Sequence, residues 1–187
     1  PTTASERGFE KAMSVFQTQL KQTISEWQHW AASADQSEDG WQSSFPDWNE
    51  MMRLAAATMC REMFDEDTFR LLELCWEISE EDESMADHAK DCGEKCRSIL
   101  RRLARSRVSA VRWQVFDVLG SLEKPDVDLL VAGLDDTDAY CRRRALLALT
   151  QADYLEAKKQ AIRFTDDADP QTRRIARELL DQNRTGQ

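Results

Sequence analysis

Chain breakers are scarce here, with 6 glycines and 4 prolines among 187 residues. Sandwiches, barrels and disordered linkers need many more, so long helices are favoured. No run of about 18 apolar residues occurs, which excludes a membrane-spanning helix. The first 30 residues carry charges throughout and contain no apolar leader core. No secretory leader is therefore expected, and a cytoplasmic location is. Histidine is limited to His29 and His88. There is no glycine-rich phosphate loop, no H-E-x-x-H and no G-x-S-x-G. The reading is a protein that is not an enzyme and carries no cofactor and no metal.

What is present is charge: 32% of residues are charged and 41% are apolar. The length suffices to bury a core without staples. The net charge of −10 is unevenly distributed. Residues 1–94 hold 21 acidic and 7 basic side chains, whereas residues 95–187 hold 14 acidic and 18 basic. The acidic half would repel nucleic acid and anionic membrane and attract a basic partner. Cys60, Cys75, Cys92, Cys96 and Cys141 are odd in number and sit within helical patterns, so they read as reduced thiols.

Apolar residues at steps of three and four predict a helix from Ser5 to about Ala32, through Phe9, Met13, Phe16, Leu20, Ile24 and Trp27. Residues 33–46 are polar and read as a loop. Asp47 is positioned to cap a helix running to about Phe64, with Met63 on its apolar side, and Asp65 or Asp67 to start another through Ile78. The acidic run Glu80 to Ser84 reads as an exposed turn and a hinge, followed by a fourth helix over about 85–105. This divides the chain into an acidic helical region, 1–84, and a second region, 85–187, the two expected to form one continuous fold.

The second region repeats. A shift of 31 places Asp135, Asp136 and Asp138 on Asp166, Asp167 and Asp169, and Arg142, Ala145 and Leu149 on Arg173, Ala176 and Leu180. A shift of 30 places Val111-Arg112 on Cys141-Arg142. The first copy departs, with Arg107 and Val108 where the acidic turn belongs. Each unit reads as two antiparallel helices joined by an Asp-rich turn. Asp138 and Asp169 can cap the second helix, and the following arginine can reach a neighbouring unit's aspartate.

This pattern resembles the HEAT-repeat family in its short bacterial form, over roughly residues 98–183. The resemblance implies an all-α fold, a right-handed α-solenoid of helical hairpins whose second helices line a concave face. The buried arc of those helices, at 100° per residue, leaves Trp113, Asp117 and Gly120, then Arg143, Leu147 and Thr150, then Arg174, Glu178 and Asp181 pointing outward. Trp113, Arg143, Leu147 and Arg174 are thus the candidate partner-binding residues, since Trp and Arg dominate binding hot spots. The alternative for Trp113 is plain core.

Two further clusters carry chemistry. Lys95, Arg97, Arg101, Arg102, Arg105, Arg107 and Arg112 could contact phosphates, and HEAT-like folds include DNA glycosylases, so nucleic-acid binding is the alternative function. The acidic half is the obvious neutralising partner for this cluster. His88, Cys92 and Cys96 share a helical face suited to zinc, but they also continue an apolar stripe through Met85, Ala89, Ile99 and Leu103, and no second ligand pair completes a site. The leading expectation is a protein–protein interaction module with a basic partner. One form of it is an immunity protein that neutralises a toxin domain.

Overall fold

The computed structural model describes residues 4–61 and 65–181, with side chains from residue 15 onward. Every regular element among them is helical, with no strand. The chain divides into two compact units, Pro1–Cys96 and Arg97–Gln187.

The first unit begins with α1, Ala4–Ala31. Its described apolar positions behave as the spacing predicts: Leu20, Ile24, Trp27 and Ala31 are buried. Phe9 and Met13 lie outside the described side chains. Helix α2, Trp48–Met59, starts after Asp47, but the Asp47 side chain makes no capping bond. Met63 and Phe64, expected to extend this helix, lie outside the described residues. Helix α3, Glu66–Ile78, is capped by Asp65, whose Oδ1 accepts the Thr68 N–H at 2.7 Å. Helix α4, Ser84–Cys92, packs on α2. The core joins Leu20, Ile24, Met51, Met52, Leu54, Met59, Leu72, Trp76 and Met85, all almost fully buried. Flexible methionines fill the irregular space between the larger rings.

Two expectations for this unit are corrected. The predicted helix 85–105 breaks at Gly93, where φ is +58° and ψ −133°, a combination open in practice to glycine alone. A 3-10 turn, Gly93–Cys96, follows the break. The acidic turn after α3 is exposed at Glu80, Glu81 and Asp82, as expected, and Trp48 Nε1 donates to Asp82 Oδ2 at 2.9 Å. Cys60 and Cys92 are not reduced thiols: they form a disulfide, with Cα atoms 6.2 Å apart. Cys60 closes α2 and Cys92 closes α4, so the packing of these helices brings their ends together across a separation of 32 residues. Cys75, Cys96 and Cys141 remain buried free thiols.

The loop 33–46 contains a 3-10 turn, Trp41–Ser44, entered through Gly40 at φ 73°. It returns Trp41 and Phe45 to the end of α1. Trp41 stacks on Trp27 and Trp30 at centroid distances of 6.2 and 5.9 Å, and Phe45 meets Trp30 at 5.5 Å.

The second unit is built from α5 (Arg97–Leu103), α6 (Ser109–Ser121), α7 (Val127–Gly133), α8 (Ala139–Ala152), α9 (Tyr154–Ala161) and α10 (Pro170–Asp181). α5 packs on α6, α7 on α8 and α9 on α10, so each predicted pair forms a hairpin. α8 also packs against both α6 and α10. Small residues allow the closest of these approaches. A Cβ on Gly120 would lie 2.8 Å from both the Cβ and the carbonyl oxygen of Ala148. Val111, Val115, Leu119, Cys141, Ala145, Leu149 and Ala176 are completely buried along the shared seam.

Candidate partner-binding surface

The turns that enter α6, α8 and α10 repeat one hydrogen-bond pattern. Asp136 Oδ1 accepts the Asp138 N–H at 2.8 Å, and Asp167 Oδ1 accepts the Asp169 N–H at 2.8 Å. In the first copy Ser106 Oγ takes the same place, accepting the Val108 N–H at 3.0 Å. The hydroxyl thus substitutes for the carboxylate that this turn lacks. Asp138 Oδ1 caps α8 through the Cys141 N–H at 2.9 Å, and Asp169 Oδ2 caps α10 through the Thr172 N–H at 2.9 Å.

Arginines lock these turns to one another. Arg112 places both arms of its fork on Asp136, at 2.6 and 2.8 Å, and donates to its own turn at Ser106 O. Arg142 repeats this on Asp167, at 3.1 and 3.0 Å, and on Asp136 O. Arg173 keeps the inner bond, to Asp167 O at 2.5 Å. The predicted bridge to a neighbouring aspartate exists, but its acceptor is the turn aspartate, two residues before the cap. Burial opposes ionisation of Asp136, yet the Arg112 fork and the Asp138 N–H hold its carboxyl below the usual carboxylate range. Asp167 is likewise opposed by burial and held low by Arg142 and the Asp169 N–H.

The predicted outward arc is only partly exposed. Trp113 is 5% exposed and Gly120 is buried against Ala148. Trp113 is covered by side chains of the next second helix. Tyr140 meets it edge-on at 5.3 Å, and the Arg144 guanidinium lies 5.0 Å from its ring centre. Arg144 also pairs with Asp117, Nε to Oδ1 at 3.0 Å. Arg143 lies over Tyr140 at 4.6 Å and pairs with Asp169 at 3.4 Å. Leu147 is exposed, at 41%, and Tyr140 at 38%. Arg174 is exposed and pairs with Glu178 along α10 at 3.8 Å. The structure therefore links Trp113 to Arg143 through Tyr140, while Arg174 stands apart on its own helix.

Sequence reasoning missed Tyr140 and Arg144. The helical wheel assigns directions to single helices. These two residues act across helices, from the first turns of α8 onto α6. An aromatic two residues after the capping aspartate, with three arginines beyond Cys141, was the available signal.

The basic cluster is largely engaged within its own unit. Arg101 Nε donates to Asp126 Oδ2 at 2.5 Å, with Arg97 beside it at 3.8 Å, and Arg112 belongs to Asp136. Arg105 donates to the Arg101 carbonyl at 3.3 Å. Among the described residues, Asp126 and Asp136 are carboxylates that pair with members of this cluster. The proposed zinc face is broken by Gly93. Cys92 is in the disulfide, and Cys96 Sγ lies 3.1 Å from Gly93 O.

No protein-family model matches this sequence, and no curated protein matches it. No helix among the described residues is long and apolar enough to cross a membrane.

Proposed function

We propose that this chain is a non-enzymatic protein–protein interaction module, with HEAT-like hairpins forming a right-handed α-solenoid in its second unit and a basic protein as partner. The observation that carries this reading is the use of charge. The arginines of the second unit are largely paired with its own aspartates, as in Arg112–Asp136, Arg142–Asp167 and Arg144–Asp117. The first unit has many more carboxylates than cations, and Asp35, Glu38, Asp39 and Glu81 pair with no cation among the described residues. An unpaired acidic surface steers a basic partner, and buried aromatic and arginine anchors hold it. Tyr140, Arg143 and Leu147 are the accessible anchors on α8, and Arg174 extends the surface onto α10.

The HEAT-like reading draws its support from the turn bond repeated before α6, α8 and α10, which gives three hairpins one joint. An immunity or inhibitor protein that neutralises a basic toxin domain is the specific form proposed. The proposed site of action is the cytoplasm, an assignment that rests on the sequence and to which the Cys60–Cys92 disulfide lends no support. The 95–112 cluster lends less to nucleic-acid binding, because four of its six guanidinium groups, those of Arg97, Arg101, Arg105 and Arg112, already serve Asp126, Asp136 or a helix carbonyl.

The test is capture of partners from the native lysate by the full chain, compared with Tyr140→Ala/Leu147→Asp and with Arg143→Glu. A basic protein retained at low salt, released as salt rises and lost by the α8 variants supports the reading. Retention of nucleic acid in its place, with the same salt dependence, overturns it.

A further inference from the structure

The return of the 33–46 loop onto the end of α1 creates a cleft of about 390 Å³ lined by Trp30, Ala34, Asp35, Glu38, Trp41 and Ser44. Its floor is aromatic. Trp30 and Trp41 are each half-buried, so their rings keep an open surface, and their planes lie within 24° of one another. Its rim is anionic. Asp35 is hydrogen-bonded to the Ser37 hydroxyl and N–H, which hold its carboxyl below the usual range. Glu38 stands three residues further along the chain. A neighbouring hollow is bordered by Asp39, Glu81 and Asp82, which extends the same negative field.

One more feature points the same way. The cleft lies where α1 ends; Trp30 O already accepts from Ser33 and Ala31 O from Gln36 Nε2, so the helix contributes the negative end of its dipole rather than a free carbonyl. π faces, carboxylates and a helix C-terminus all attract positive charge and repel anions. A planar guanidinium uses all three better than a compact ammonium, because it stacks on an indole while its edge donates to carboxylates.

We infer that this cleft is the receptor for one arginine side chain of the basic protein partner, stacked on Trp30 and Trp41 and paired with Asp35 and Glu38. The identity of the occupant rests on the partner reading above. The capacity of the cleft to hold a guanidinium does not.

The probe is a tetra-arginine peptide, with tetra-citrulline as its uncharged isostere, titrated into the full chain while indole emission is followed. Saturable quenching by the arginine peptide and none by citrulline is expected. Asp35→Asn/Glu38→Gln should weaken it roughly fivefold to tenfold, the range for losing a desolvated cation contact. Ala34→Leu fills the cleft without altering charge and should weaken it similarly, which guards against a variant that fails by unfolding. Unchanged affinity in both variants means that the peptide coats the acidic surface without entering the cleft, and overturns the inference. So does the absence of saturation. Normal peptide binding in a protein that captures no basic partner would retire the partner reading and leave the cleft as an arginine site.

Discussion

The two units handle charge in opposite ways. In the first, Glu50–Arg53, Glu66–Arg70 and Asp87–Lys90 are exposed ion pairs, each within a single helix. Such pairs add little to stability. The unit is held by its methionine and tryptophan core and by the Cys60–Cys92 bridge. In the second, Arg112–Asp136, Arg142–Asp167 and Arg144–Asp117 span 24 to 27 residues and join one hairpin to the next. Arg112 and Asp136 keep only 13% and 8% of their side-chain surface exposed. These charges in the second unit are therefore structural, whereas Asp35, Glu38, Asp39 and Glu81 of the first unit pair with no cation among the described residues.

The largest expected effect falls on the first unit. Opening the bridge, by reduction or by Cys60→Ser/Cys92→Ser, releases a loop of 32 residues. Loop-closure entropy puts the loss at about 3–4 kcal/mol. Five of the six tryptophans lie before residue 97, so indole emission reports mainly this unit. Its transition should move to lower denaturant while hydrogen exchange on α8 and α10 stays unchanged.

The next effect falls on the second unit. Arg112→Ala strands the half-buried Asp136 and should cost about 2–3 kcal/mol. A double-mutant cycle with Asp136→Ala should show strong coupling. Arg53→Ala, its exposed counterpart in the first unit, should leave the unfolding curve unmoved. Equal losses at the two positions would erase the contrast.

Gly120→Ala sharpens the comparison by packing alone. Alanine is the better helix former, yet its Cβ has no room beside Ala148. Overpacking should cost about 1–2 kcal/mol net, seen as a lower melting temperature. Gain of stability would mean that α6 and α8 can separate.

The smallest effect is on acid stability. Asp136 and Asp167 ionise more readily folded than unfolded, their carboxyls being held below 3.8. Their contribution is complete above that value and is lost as pH falls below it. Arg112→Ala and Arg142→Ala should flatten this acid limb for the second unit. An unchanged limb would assign acid unfolding to other carboxylates.

Much of the second unit was legible in the residues themselves. The 30–31 residue repeat located the turns, Asp138 and Asp169 cap as their spacing suggests, and α1 buries the stripe through Leu20, Ile24 and Trp27. These features depend on neighbours along the chain, where periodicity carries the information. Three others depend on which helices meet. Cys60 found Cys92 only because α2 lies on α4. Trp113 became buried because Tyr140 and Arg144 reach it from α8. Trp41, in a segment read as polar loop, joined Trp27 and Trp30 because Gly40 turns the chain back. Local pattern determined the helices and their caps. The pairings, the covered tryptophan and the aromatic cleft were decided by packing between segments far apart in sequence, which no spacing rule encodes.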